Sequence, residues 1–243
     1  MSVITDAVIL MAGTGSRLRG AADTIAKPLI SIGGRPLISY AIQSFEKIGV
    51  TTLYGVVGPN GDKLAAALAP MLPSHMQFRP ISNPDWQKQN GVSLLTAAGR
   101  LSGPFFLAMG DHLFESSILS ELVAHADLAC LNLAIDRKID SIFDLDDAMK
   151  VQTEKNLIVG IGKKLENYDA IDTGLFLCPQ IMFDYLRRAL NGDDCSLADG
   201  VRLMAAERKA LAIDIGKAWW QDVDTPEMLQ RAEQEVERRR LCL

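Results

Sequence analysis

The sequence predicts an α/β protein built on a doubly wound, mostly parallel sheet, with a small β-hairpin excursion. Two observations carry this. Residues 7–11 (AVILM) and 105–109 (FFLAM) are continuous apolar runs, the pattern of strands buried on both faces. Each ends in a glycine-bearing loop, and segments of helical spacing alternate with such runs along the chain. Ligands in a sheet of this kind bind at the carboxyl ends of the strands. The loops after Met11 and Met109 are therefore the first places to look for a site.

The elements follow in order. After the first strand, Leu37, Ile38, Ala41, Ile42, Phe45 and Ile48 share one helix face; Pro36 suits the first turn and Gly49 stops the helix. Residues 52–57 form a second strand, 62–71 an Ala/Leu-rich helix, 76–81 a third strand and 91–101 a helix. Beyond the strand at 105–109 come a helix over 116–124 and strands over 128–135 and 174–178. Residues 140–172 differ: they are rich in charge, and 149–153 and 157–161 read as two strands around Glu154-Lys155-Asn156. That is a hairpin leaving the core sheet, a candidate lid. The whole of 1–243 reads as one domain carrying this insertion. Arg238, Arg239 and Arg240 end a C-terminal helix and read as a solvated face matched to the helix dipole.

Composition bounds the function. Of 243 residues, 48% are hydrophobic and 23% charged, which is ordinary for a globular chain with a substantial core. A formal net charge of −5 offers no field for nucleic acid. Cys130, Cys178, Cys195 and Cys242 form no CxxC pair, so zinc and dithiol chemistry are not expected, and reduced thiols suit a cytoplasmic protein. His75 and His125 stand alone and read as surface residues. No apolar stretch approaches the ~20 residues that span a bilayer, so no membrane insertion is expected.

Three motifs carry chemistry. The first is LMAGTGSRLRG, residues 10–20. It fails the dinucleotide fingerprint, which needs a glycine where Leu18 stands, and the P-loop, which needs Lys and Ser/Thr where Ala21 and Ala22 stand. What remains is a strand, a glycine turn whose N–H groups can face phosphate oxygens, and the basic residues Arg17 and Arg19. Lys27-Pro28-Leu29 follows, with Pro28 pre-setting extended geometry for Lys27. The second motif is Met109-Gly110-Asp111-His112, which puts a carboxylate at a strand end, where it can hold Mg²⁺ against phosphate oxygens. The third runs from Trp219 to Glu227 and contains Asp222 and Asp224; Thr225 caps a helix opened by Pro226.

AxGxGxRL followed by KPL and a GxPLI helix start strongly resembles the nucleotidyltransferases that make nucleotide-activated sugars and alcohols. Met11 departs mildly from that family's LAAG. The resemblance implies a Rossmann-like fold in which Met11, Ala12, Gly13, Thr14 and Gly15 wrap a triphosphate held by Arg17 and Lys27. It implies Mg²⁺ on Asp111 and Asp222, with Asp224 as the fallback. Gln89, Gly91 and Ser93 match the segment that closes over the nucleobase. GDH, Asp136-Arg137, DLDDAMKV, GKKLENYDAIDTGLF and DVDTPE narrow the resemblance to CTP:inositol-1-phosphate cytidylyltransferases. On that basis His112, Asp136, Arg137, Lys163, Asp172 and Thr173 face the acceptor, with His112 either touching substrate or orienting Asp111.

The expected reaction is cytidylyl transfer from CTP to a phosphorylated alcohol, inositol 1-phosphate first. Phosphocholine, an aminoalkylphosphonate or a sugar 1-phosphate are the alternative acceptors. Phosphocholine would call for an aromatic cage, and the chain is only 6% aromatic, with Phe143, Tyr168 and Phe176 near the acceptor region. The expected partners are CTP and a small phosphoalcohol. A homodimer and a downstream CDP-alcohol transferase are further partners to consider. The rival from another class, a non-catalytic nucleotide-sensing module, would be marked by a lost metal ligand or lysine, and this sequence keeps both.

Overall fold

The computed structural model describes residues 4–13, 26–59 and 61–239. Thr14, Gly15 and Arg17 lie outside them. Strand β1 (Asp6–Met11) is followed by a 3-10 turn at Lys27–Leu29, the short pair β2 (Ser31–Ile32) and β3 (Arg35–Pro36), and helix α1 (Leu37–Lys47). Then come β4 (Thr52–Val57), α2 (Gly61–Leu68), β5 (Gln77–Ser82), α3 (Asn90–Leu95), β6 (Phe105–Met109), β7 (His112–Phe114) and α4 (Ser117–His125). The remainder holds β8 (Leu131–Asp136), β9 (Lys150–Glu154), β10 (Leu157–Gly162), β11 (Ala170–Cys178), α5 (Met182–Ala189), α6 (Leu197–Ala206), β12 (Ala210–Asp214), β13 (Trp220–Asp222) and α7 (Pro226–Arg239).

Among the described residues the main sheet has nine strands in the order β5-β4-β1-β6-β11-β8-β12-β10-β9. Its first four strands are parallel, as the buried runs predict. The rest makes the sheet mixed: β12 runs parallel to β8, but other neighbours do not. β11 lies antiparallel to both β6 and β8, and β10 is antiparallel to β12 and β9. A strand buried on both faces shows the same apolar run in either direction, so the sequence pattern does not reveal it. The hairpin is real, with its turn at Lys155 (φ 58°), but it does not leave the sheet. β10 pairs with β12 and β9 with β11, so the hairpin forms the sheet's far edge.

The side chains of β1 alternate between two cores. Val8 and Leu10 pack with Leu94, Phe176 and Val201 on one face; Ala7, Ile9 and Met11 pack with Ile38, Phe45 and Leu119 on the other. A third, small cluster of Ile32, Leu37, Tyr40, Leu113, Val223, Ala232 and Val236 fixes the β2–β3 hairpin and α7 over β7 and β13. That cluster positions the loops around Asp111 and Asp222.

Several boundaries differ from expectation. Pro36 caps α1 rather than opening its first turn. The helix predicted over 91–101 ends at Leu95 and continues as i→i+3 turns through Ala97 and Arg100. β11 starts at Ala170 instead of residue 174, because Asp172 and Gly174, ordinarily strand breakers, sit in a register irregularity between Asp172 and Phe176. No helix among the described residues is long and apolar enough to cross a membrane.

Candidate active site

β1 and β6 are parallel neighbours with Leu10 opposite Met109, so the loops that leave them lie side by side. The Gly110 N–H donates to the Leu10 carbonyl at 2.9 Å and locks them together. β7 pairs antiparallel with β13, His112 directly opposite Asp222, which brings the second and third motifs to one place. The Val223 N–H donates to the Asp111 carbonyl at 2.9 Å. Lys27 enters from its 3-10 turn, anchored by buried Pro28. Its ammonium donates to Asp111 Oδ2 at 2.7 Å and also to Asp224 Oδ1, and the side chain is only 9% exposed.

The other oxygen of Asp111 accepts from His112 Nδ1 at 2.6 Å. Burial opposes ionisation of Asp111, but the charges and hydrogen bonds of His112 and Lys27 outweigh it and hold the carboxyl well below the usual range. Burial would lower His112 and Lys27, yet their carboxylate partners outweigh it and raise both. Burial, with Asp224 and Asp111 nearby, raises Asp222 against the opposing pull of His112. Three carboxylates thus gather around Lys27 and His112. These are hard oxygen donors, the kind Mg²⁺ takes one or two at a time alongside phosphate oxygens and water. The donor set fits Mg²⁺, although no preassembled three-ligand cluster exists among the described residues.

Around this centre opens a cavity of about 670 Å³. Ala12, Gly13 and Ser93 line its first side, together with Trp86, Lys88 and Asn90. Met11 is buried beneath it, against Gly55 and Gly110. Gln89 and Gly91 do not line the cavity. The Gln89 N–H caps onto Asp194 Oδ1 at 2.9 Å, and a Cβ on Gly91 would sit 2.6 Å from the Cys195 carbonyl oxygen, so this glycine serves close packing.

On the opposite side stand Asp136, Lys138, Asp144, Asp147, Lys163 and Asp172. Lys163 is ion-paired with Asp147. Burial pushes the Asp172 carboxyl up to about 6 despite a 2.7 Å hydrogen bond from the Gly174 N–H and the charge of His112. Gly174 has φ +72°, and a Cβ there would fall 2.6 Å from His112 Nε2, so only glycine lets the imidazole lie against β11. Arg137 and Thr173 are not brought to the cavity. The guanidinium of Arg137 turns to Asp169, Thr153 and Asp214, and the buried Thr173 hydroxyl donates to the Ala134 carbonyl at 2.8 Å.

Sequence reasoning passed over several lining residues. Trp86 and Lys88 lie in a turn-rich stretch just before the segment resembling a nucleobase loop, and Lys138 directly follows Asp136-Arg137 at a strand end. The C-terminal arginines are a correction. Arg239 is not a solvated residue: it lies over the Trp219 ring at 5.4 Å, pairs with Glu115 and Glu235, and lines the cavity with Arg231 and Arg238. Arg240 lies outside the described residues. Helical spacing of Arg231, Glu235 and Arg239 was the available signal, since it places them on one face of α7.

Residues 7–138 match the family of the MobA-like NTP transferase domain, and the chain belongs to that family. The Bifunctional IPC transferase and DIPP synthase of Aquifex aeolicus is 30% identical over 232 residues, covering 95% of this chain and 51% of that protein. Its namesake from Rubrobacter xylanophilus is 33% identical over 234 residues, covering 95% of this chain and 51% of that protein. The chain therefore spans about half the length of these relatives. The solved inositol-1-phosphate CTP transferase from T. maritima superimposes with a TM-score of 0.83 at 26% identity, over 96% of this chain and 98% of that one. A UDP-glucose pyrophosphorylase complexed with UDP-glucose shares the fold, with a TM-score of 0.82 at 18% identity, over 97% of this chain and 99% of that one. The family read from the glycine loop and KPL is borne out.

Proposed function

We propose that the chain transfers the cytidylyl group of CTP to inositol 1-phosphate or a closely similar polyol phosphate, releasing pyrophosphate, in the cytoplasm. The observation that carries this reading is the Lys27–Asp111–Asp224 ion pairing at the carboxyl ends of β1 and β6, which faces a wall bearing Lys163 and Asp172 across one cavity. Similarity to the relatives named above over 95% of the chain supports the same choice of substrates.

An oxygen of the acceptor's phosphate attacks the α-phosphorus of CTP in line; the new P–O bond forms as the bond to the β-phosphate oxygen breaks. That phosphate, with a second pKa of ~6, is largely dianionic at neutral pH, so the attack needs no general base. Positioning and charge neutralisation do the work. Asp111 and Asp222 would hold Mg²⁺, which neutralises charge on the phosphates when bound. Asp224, as partner of Lys27, keeps the ammonium beside them, ready to meet triphosphate oxygens together with Arg17. Gly13 and Ser93 line the nucleotide side. Lys163 holds the acceptor phosphate, and Asp172 accepts from its hydroxyls.

The acceptor wall favours a polyol over a quaternary ammonium for a reason beyond composition. Phe143, Trp219 and Trp220 do line the cavity, but each already has a partner. Arg231 lies 5.3 Å from Phe143, Arg239 covers Trp219, and His112 stacks on Trp220 at 5.7 Å. Rings already covered by the protein's own side chains make a poor cage for choline.

A pyrophosphate-release assay with four NTPs against a panel of phosphoalcohols tests the reading. CTP with inositol 1-phosphate should give the highest kcat/KM. Release with phosphocholine and none with inositol phosphates would overturn the acceptor, and release with another NTP in preference to CTP would overturn the donor.

A further inference from the structure

Asp136 occupies a position expected to face the acceptor, and it lines the cavity, yet its side chain is only 4% exposed and both oxygens are engaged. Oδ1 accepts from the Lys138 backbone N–H at 2.7 Å and from the Lys138 ammonium at 2.8 Å. That ammonium also donates to the Gly216 carbonyl at 2.7 Å, which ties the end of β8 to the turn after β12. Oδ2 accepts from the indole Nε1–H of Trp220 at 3.0 Å. A carboxylate spent in this way has little left to offer a substrate hydroxyl.

The indole passes the constraint on. Trp220 lies opposite Phe114 in the β7–β13 pair, so His112, two residues earlier on β7, is its diagonal neighbour on the same face. The rings stack with centroids 5.7 Å apart and planes 16° apart. The imidazole is trapped between this indole and Gly174, where no side chain fits, and its Nδ1 holds Asp111 at 2.6 Å. Two links are hydrogen bonds and one is a ring stack. Together they join the end of β8 to the carboxylate at the end of β6.

We propose that Asp136, Trp220 and His112 form a positioning relay that fixes the Asp111 carboxylate for a divalent metal, and that Asp136 is not an acceptor ligand. The proposal rests on the function proposed above for the placement of the metal on Asp111. Groups that orient a metal's ligands typically change metal affinity or activity by about 10–100-fold when lost. A side chain that touched the acceptor would instead act on the acceptor's KM.

The test compares wild type, Trp220→Phe, Asp136→Asn and the double variant. Trp220→Phe keeps a stacked ring and removes only the N–H. Mn²⁺ binding to each full chain is followed by electron paramagnetic resonance, with and without CTP, alongside kcat and KM for inositol 1-phosphate. The relay predicts that each single variant weakens Mn²⁺ about ten-fold and lowers kcat, with the acceptor KM unchanged within two-fold. It also predicts that the double variant is little worse than either single one, since both remove one hydrogen bond. Unchanged Mn²⁺ affinity with a raised acceptor KM for Asp136→Asn would overturn the proposal, as would strict additivity or no binding of Mn²⁺ to the wild type. Absence of cytidylyl transfer by the wild type would count against the proposed function alone, because the Mn²⁺ arm still decides the relay.

Discussion

The two sides of the cavity are built by different means. The side proposed for the nucleotide hangs from parallel strands, β4, β1 and β6, beside whose carboxyl ends Lys27 and Asp111 meet. The side proposed for the acceptor is made from β8, β9 and antiparallel β11, and its charged side chains are largely tied to one another: Lys163 to Asp147, Lys138 to Asp136, Arg137 to Asp169. Both sides hold paired charges, but on the first the pairs join separate motifs, Lys27 with Asp111 and Asp224. On the second the pairs form within the wall itself, so identity at a position says less about role.

The largest expected effect falls on the first side. Asp111→Ala should lower kcat by about a thousand-fold or more, because several kcal/mol of charge stabilisation disappear with the metal, while circular dichroism reports an intact fold. Asp222→Ala should follow it. If Asp224→Ala proves the more damaging of the two, the metal pair is Asp111 and Asp224, and Lys27 must have another anchor.

Next comes the division of labour between the lysines. Lys27→Ala should cut kcat by about a hundred-fold, as loss of a buried donor to developing charge does, with little change in the acceptor's KM. Lys163→Ala should do the reverse and raise that KM by about ten-fold, the worth of one charged hydrogen bond. Steady-state kinetics with both substrates varied separates them; equal effects of both changes on both constants would erase the distinction between the two sides.

A smaller effect concerns Asp172. Burial raises its carboxyl from the ordinary carboxylate range to about 6 in the folded chain. The folded state therefore keeps this proton where the unfolded chain has released it. Its contribution to stability is present at about pH 4 and is lost as pH rises through about 6. Asp172→Asn should remove that dependence, so denaturant unfolding from pH 4 to 7 should show wild type losing ground to the variant up to about pH 6, then running parallel. A difference that does not change with pH would mean the group ionises normally.

The smallest effect is expected at Arg137. Its half-exposed pairing with Asp169 is worth under about 1 kcal/mol, as exposed ion pairs are, and Arg137→Ala should leave the acceptor's KM within two-fold. A large rise in KM would return Arg137 to the acceptor site.

The same contrast explains what the sequence made legible. β1 and β6 are visible as apolar runs, and Gly13, Lys27 and Asp111 stand beside them at fixed spacing, so their meeting at one place was readable, whereas Gln89 and Gly91 turn to capping and close packing instead. Asp136 and Thr173 were identifiable as positions but not as roles, because a role depends on which partner claims the side chain after folding. Trp220 takes one oxygen of Asp136, and the Ala134 carbonyl takes the hydroxyl of Thr173. The direction of β11 was hidden for a related reason. Burial on both faces erases alternation, and Gly174, which the packing of His112 requires, looked like the start of the strand rather than its middle.

The central claim is that this cavity joins a cytidylyl group to a polyol phosphate, and phosphorus NMR of the reaction reads that bond directly. The purified chain with CTP, Mg²⁺ and inositol 1-phosphate should convert the phosphomonoester signal into the coupled pair of a pyrophosphate diester, with inorganic pyrophosphate appearing in equal amount. The Asp111→Ala chain should leave the spectrum unchanged. A monoester signal that persists in the wild-type reaction, with CTP intact or merely hydrolysed, would contradict the account.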